Sequence, residues 1–319
     1  MAKMLVTGAG GFAGQALCAA LQAQDIDFIP IVRARLPSLP QARIVKDINP
    51  STAWLGCLTD VGVVVHLAAR VHVLNDASID PLRDYRLGNV EATLHLARQC
   101  VKAGVRRFIY LSSVKVNGES TTTRPFFADD APAPLDPYGI SKFEAEQGLR
   151  KLALESGLEL VIIRPPLVYG PRVKANFLAL MHAVKRGVPL PLASVRENRR
   201  SMIYLGNLLD LILRCSVDDA AIGQIFLASD GHDVSTAGLI AAIAGAMGKR
   251  PRLFPTPPLL LMGAAALLGK RATAERLCGS LQVDIEHTRQ VLAWTPPHSF
   301  EAGIEQTVRH FLEAHGSFR

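Results

Sequence analysis

Thr7-Gly8-Ala9-Gly10-Gly11-Phe12-Ala13-Gly14 is the stretch on which the fold turns. The apolar run Met4-Leu5-Val6-Thr7 leads into it, and a helical pattern over Phe12–Gln24 leads out of it. Gly8, Gly11 and Gly14 recur at every third position across that strand-to-helix turn. Gly8 permits the tight turn, Gly11 lets backbone N–H groups approach a pyrophosphate, and Gly14 lets the helix pack on the strand. With Gly10, Phe12 and Ala13 they form a candidate dinucleotide cradle.

Further short apolar, β-branched runs follow: Asp27–Val32, Val61–His66, Arg107–Ser112 and Leu158–Ile163. Their uninterrupted apolar character predicts strands buried on both faces. Helical patterns over Leu82–Ala103 and Tyr138–Ser156 alternate with them, which predicts an α/β fold with a doubly wound, parallel Rossmann sheet. Beyond Pro165-Pro166 the pattern changes to helical segments near 176–186, 206–216, 235–248, 258–270 and 299–314, with one more strand at Gln224–Ser229. The expected organisation is a Rossmann domain over 1–170 and a smaller, mostly helical substrate lobe over 171–319. The chain is expected to return to the sheet around 203–229.

The 319 residues have a mean hydropathy of +0.21, enough for a substantial core. The formal net charge of +7 is spread over pairs such as Arg106-Arg107, Arg199-Arg200 and Lys249-Arg250 without aromatic interleaving, so no nucleic-acid partner is expected. Five cysteines without CxxC spacing predict reduced thiols, no metal site and a cytoplasmic location. The first strand starts almost at residue 1, so no signal peptide is expected. The apolar run Pro257–Gly269 is too short to span a bilayer. It reads as a buried or interface helix, or as a helix lying weakly on the inner membrane surface with Lys270 and Arg271 as its basic edge.

An NAD-binding fold commonly places an acid on the adenosine ribose at the end of the second strand. Here that place reads Ile31-Val32-Arg33-Ala34-Arg35. Arg33, helped by Arg35, can pair with the 2′-phosphate of NADP(H), or it stands solvated beside NAD(H). Asp47, with Ile48 beside it, can accept a hydrogen bond from an adenine amino group. Leu67, Ala68 and Ala69 close another strand beside the dinucleotide, and His66 before them reads as an orienting or packed residue. Tyr138-Gly139-Ile140-Ser141-Lys142 opens a helix after a proline-rich approach. Tyr138 and Lys142 then share one face, where the ammonium, with a positive nicotinamide, is expected to lower the phenol's pKa and make it a proton donor or acceptor. Leu111-Ser112-Ser113-Val114 ends a strand 25 residues before Tyr138, where a hydroxyl can orient a substrate oxygen.

Together with Asn89 in Gly88-Asn89-Val90-Glu91-Ala92-Thr93 and with Arg164-Pro165-Pro166-Leu167-Val168-Tyr169-Gly170-Pro171, these motifs resemble the extended short-chain dehydrogenase/reductase family over essentially the whole chain. The resemblance implies an enzyme acting on nucleotide sugars, with Ser113 (Ser112 as its neighbour and alternative), Tyr138 and Lys142 as catalytic residues. It adds Asn89 and Pro165 to the cofactor site. Asn176, Leu190 and Arg200 resemble the substrate-binding asparagine, the segment whose backbone reads uracil and a diphosphate-binding arginine. A second such arginine has only Arg276 nearby, imperfectly spaced. Ser113-Val114-Lys115 carries no carboxylate where the family's dehydratases need one.

The remaining implied chemistries are 4-ketoreduction and 4-epimerisation of a UDP-hexose or UDP-N-acetylhexosamine. Arg33, and a likeness of 115–119 and 173–177 to a bacterial O-antigen subgroup, favour reduction of UDP-4-keto-6-deoxy-N-acetylglucosamine to UDP-N-acetylquinovosamine. The epimerase reading keeps NAD bound. A catalytically silent, dinucleotide-binding regulator is the reading of another class, and the retained Ser113, Tyr138 and Lys142 argue against it. A homodimer through the 82–103 and 138–156 helices is also implied.

Overall fold

The computed structural model describes residues 2–70, 80–267, 269 and 271–315. Seven strands form the main sheet: β1 (Lys3–Thr7), β2 (Phe28–Val32), β3 (Arg43–Ile44), β4 (Val61–His66), β5 (Arg107–Leu111), β6 (Glu159–Arg164) and β9 (Ile225–Leu227). Their order is β3-β2-β1-β4-β5-β6-β9, with every pair parallel. The chain builds outward from β1 in one direction, then restarts at β4 and builds in the other. The crevice at the carboxyl ends of β1 and β4 is therefore the switch point at which such sheets bind ligands.

Helices cover both faces, which is why Val63, Val64 and Val65 of β4 are all buried and no polar alternation marks the strand. Leu17 and Leu21 of α1 (Phe12–Ala23) join one core layer together with Leu208 and Ile212 of α6 (Leu205–Val217). On the other face Leu96 and Cys100 of α3 (Ala92–Lys102) meet Ala145 and Leu149 of α4 (Pro137–Ser156). Asp136 caps α4 by accepting from Gly139 N at 2.7 Å, Pro137 fills the first turn, and Gly157 at φ 74° ends the helix. The single helix expected over Leu82–Ala103 is interrupted. α2 (Pro81–Tyr85) passes into a π-turn at Arg86–Glu91 before α3 begins, and Asn89 sits in that turn. Such bulges re-aim side chains inside a helix.

A second, three-stranded sheet was not expected from the sequence: β7 (Leu167–Tyr169), β8 (Arg200–Tyr204) and β10 (Asp233–Val234), in the order β10-β8-β7. The helical C-terminal part holds α5 (Ala175–Arg186), α7 (Thr236–Ala246), α8 (Pro258–Leu267), α9 (Arg271–Cys278), α10 (Glu286–Leu292) and α11 (Phe300–His315). Its core gathers Phe177, Met181, Ile240, Ile243, Ile304 and Phe311 around Tyr169 and Tyr204 of the small sheet. Lys270, proposed as part of a basic edge, lies outside the described residues. Among the described residues no helix is long and apolar enough to cross a membrane.

Candidate active site

The glycine turn is as crowded as its spacing requires. A Cβ on Gly14 would lie 2.1 Å from Gly8 O, and one on Gly8, at φ +68°, would lie 2.8 Å from Ala68 N. The first contact lets α1 start directly against β1, and the second brings the Leu67-Ala68-Ala69 backbone against the glycines. Thr7 and His66 hold that approach in place. Thr7 Oγ1 accepts from Ala68 N at 3.3 Å and lies 2.7 Å from His66 Nδ1, while His66 Nε2 lies 2.9 Å from Thr93 Oγ1. Burial, with Lys142 adding, pushes the His66 pKa down to about 3. A neutral ring accepting from Thr7 and donating to Thr93 fits these distances, so His66 orients, as its position suggested.

Arg33 stands exposed just past β2, and Asp47 stands exposed past β3, with Ile48 half-buried beside it. Val45 N donates to Val32 O at 2.9 Å, so the two strand ends run side by side. Asn89 is spent on the protein itself. Its Oδ1 accepts from Arg70 N at 2.7 Å, and Nδ2 donates to Arg70 O and to Ser141 Oγ, each at 3.0 Å. It thus ties the loop after β4 to the first turns of α4.

Those turns bring Tyr138 and Lys142 to the rim of the sheet. The half-buried Ser113 hydroxyl lies close enough to the Tyr138 phenol to pull its pKa downward. Ser112 points the other way, donating to Glu146 Oε1 at 2.5 Å inside the protein. Geometry thereby separates the two serines. Buried Lys142 donates from Nζ to Leu111 O at 2.6 Å and sits 4.2 Å from the centre of the Tyr110 ring. Burial lowers its pKa to about 7, against an opposing pull from Glu146. Burial raises the Tyr138 pKa well above its ordinary value, Asp136 and Tyr85 add to that, and the Ser113 hydroxyl opposes it.

Behind the trio lies a buried network without a counterpart in the sequence reading. Arg164 donates from Nε to Glu146 Oε1 at 3.0 Å, from Nη2 to Glu146 Oε2 at 2.6 Å, and from Nη1 to Asn117 Oδ1 at 3.1 Å. Pro165 O accepts from Val114 N at 3.0 Å, which locks the end of β6 to the serine segment. Lys115 reaches both Asp136 and Glu119, so the cap of α4 is pinned from the same segment.

On the other side of the cleft the candidate substrate residues separate. Asn176 is exposed in the first turn of α5. Leu190 N–H donates to Arg252 O at 2.9 Å, and its carbonyl accepts from Phe254 N at 3.0 Å. Arg200 opens β8, and its Nη1 donates to Arg276 O at 2.5 Å and Gly279 O at 3.2 Å. Burial and then the charge of Arg276 lower its pKa. Arg276, imperfectly spaced in the linear sequence, is brought beside Arg200 by α9. A cleft of about 320 Å³ adjoins the glycine turn, bordered by Gly11 and Phe12 on one side and by Pro171, Arg172 and Lys174 on the other. Arg172 carries no signal in the sequence, because a single basic residue after a proline is common on any surface.

Residues 4–227 match the profile of the NAD dependent epimerase/dehydratase family. Over 315 residues the chain is 44% identical to a UDP-glucose 4-epimerase of Vibrio cholerae, covering 98% of this chain and 96% of that protein. It is 25% identical, over 325 residues, to the N-acetyl-alpha-D-glucosaminyl-diphospho-ditrans,octacis-undecaprenol 4-epimerase of Escherichia coli O157:H7, covering 97% and 95%. Among solved structures, the UDP-glucuronic acid 4-epimerase of Bacillus cereus in complex with NAD superposes with a TM-score of 0.79 at 22% identity, covering 99% of this chain and 98% of that one. That last likeness is one of fold. The cradle of glycines that no side chain can enter fits a dinucleotide, and the profile runs from it to the edge strand β9. The chain belongs to the NAD dependent epimerase/dehydratase family of enzymes.

Proposed function

We infer that this chain interconverts UDP-sugars at C4, as an NAD-dependent 4-epimerase with Tyr138, Lys142 and Ser113 at its centre. The observation that carries the reading is the Ser113–Tyr138 hydroxyl pair beside buried Lys142, at the carboxyl end of the sheet. NAD, when bound, supplies the acceptor and then the donor for the hydrogen at C4. Gly8, Gly10, Gly11, Phe12, Ala13 and Gly14 would hold its pyrophosphate, Asp47 and Ile48 its adenine end, and Leu67–Ala69 and Pro165 its flanks. Tyr138 Oη takes the proton from the sugar O4 and returns it, and Ser113 orients that oxygen. Lys142, titrating at about 7, carries its charge on the acid side of neutrality beside the phenol's helix face. Arg200 and Arg276 suit the substrate diphosphate, since planar guanidinium donors grip phosphate oxygens in pairs. Asn176 borders the sugar. The proposal includes a cytoplasmic location and a homodimer through the 82–103 and 138–156 helices.

The 44% identity to a protein named for 4-epimerisation outweighs the sequence preference for reduction. The exposed Arg33 at the end of β2 favours the second reading, reduction of UDP-4-keto-6-deoxy-N-acetylglucosamine to UDP-N-acetylquinovosamine with exchangeable NADP(H) for surface polysaccharide. Denaturing the purified protein and identifying the released nucleotide separates the two. Retained NAD, with UDP-sugar interconversion needing no added reductant, is the expected result. An empty site that oxidises NAD(P)H only when a 4-keto sugar is supplied would reverse the order. Tyr138→Phe should lower kcat by about 10²–10⁴-fold while dinucleotide binding persists. Undiminished turnover would remove Tyr138 from the mechanism.

A further inference from the structure

The chemistry above leaves one surface unused. α8 has no buried residue, although Leu259, Leu260, Leu261 and Met262 run through its first half. Leu259 is 86% exposed, Leu260 64% and Leu267 91%, whereas Leu261 turns inward against the C-terminal core. Phe254 and Val188 add to the exposed apolar area. They come from two segments that pair through Leu190, Arg252 and Phe254. Cations accompany this surface: Arg252 donates to Gly187 O at 3.4 Å, Lys249 donates to Lys185 O, and Arg250 is exposed beside them. From Lys249 to Arg271 the sequence holds five Lys or Arg and no Asp or Glu. The next acid, Glu275, pairs with Arg271 at 2.9 Å.

We propose that α8 and its basic flank seat the enzyme on an anionic lipid surface, by shallow insertion of Leu259, Leu260 and Leu267 with Lys249, Arg250 and Arg252 among the headgroups. At about 1.5 Å per residue, a ten-residue helix is roughly half the length needed to span a bilayer. Its apolar residues can enter only the outer layer. A core helix is excluded by its exposure. A second copy of this chain is disfavoured by charge, because a two-fold contact would bring two carboxylate-free cationic flanks together. A bilayer supplies both halves of the match, an apolar layer under phosphates that basic side chains reach along their stems. The surface is independent of the reading of the reaction. α9 follows it directly and carries Arg276 at its far end, so a seated enzyme would hold the Arg200–Arg276 side of its cleft close to the lipid.

Co-sedimentation of the full chain with vesicles tests this. Phosphatidylglycerol/phosphatidylethanolamine vesicles should pellet the protein at low salt, pure phosphatidylcholine vesicles should not, and salt should release it. Leu259→Asp with Leu260→Asp should abolish pelleting while turnover of a soluble UDP-sugar is unchanged. Arg250→Gln should weaken the partitioning about fivefold, the effect of one cation near such a surface. Absence of pelleting at low salt, or undiminished pelleting of the double variant, overturns the proposal. So does a result in which the wild type ignores vesicles and the double variant instead lowers the oligomeric mass in light scattering, which would make the face a contact between copies. Because turnover is read separately, failure on vesicles leaves the proposed reaction standing, and failure of that reaction leaves the vesicle result interpretable.

Discussion

Lys142 and Glu146 sit one turn apart on α4, both buried, and differ in the partners the interior gives them. Glu146 has its two oxygens covered by Arg164 and Ser112. Lys142 has a carbonyl and an aromatic face, and burial draws its pKa from the ordinary 10.5 to about 7. In the unfolded chain the lysine keeps its proton to much higher pH. Between about 7 and 10.5 the unfolded state therefore binds more protons, and wild-type stability rises with pH across that window. Lys142→Met has no such step. Its stability advantage over wild type should be greatest below pH 7 and should shrink towards pH 10, as read by urea unfolding at a series of pH values. A constant difference would remove burial as the cause of the shift. Tyr138 and Lys142 were legible as a pair because i and i+4 spacing is written in the sequence. The Glu146–Arg164 pair was not, since its members lie on a helix and a strand and meet only when α4 packs on β6.

At the scale of elements, α1 against β1 shows how little room the cradle leaves. Gly14→Ala would set a methyl 2.1 Å from Gly8 O, and backbone has no rotamer with which to give way. The variant should lose about 3 kcal/mol of stability and much of its dinucleotide affinity, because α1 must move off β1 and carry its N-terminal amides with it. A melting temperature within error of wild type would show that the turn relaxes more freely than its contacts imply. The strands and helices of the main sheet were legible to within a residue or two: Val61–His66 was placed at both ends, and Tyr138–Ser156 missed only the proline of its first turn. What the pattern hid has physical reasons. β7 and β10 span three and two residues, too few for any alternation to register, and β8 opens on an arginine that reads as loop. The π-turn at Arg86–Glu91 keeps helical periodicity on either side, so it surfaces only in the aim of Asn89.

Across the whole molecule, the return of the chain to the main sheet after β8 depends on Arg107, which is fully buried in β5. Its Nε donates to Glu159 Oε2 at 2.7 Å, its Nη1 to Cys215 O and Asp218 O at 2.9 Å each, and its Nη2 to Asp219 Oδ1 at 2.7 Å. One guanidinium thus joins β5, β6 and the end of α6, just before β9 takes the sheet edge. The sequence offered only an Arg106-Arg107 doublet, which reads as scattered surface charge; the fold exposes the first arginine and buries the second. Arg107→Leu fills much of the volume but leaves two carbonyls without their donor, which should cost about 3 kcal/mol. The loss belongs to the return segment. Limited proteolysis of the variant should therefore cut first near 217–224, while the core around Tyr169, Ile240 and Phe311 stays protected. If the first cuts instead fall within α7 or α11, the C-terminal core rather than the return to the sheet is the less stable part of the molecule.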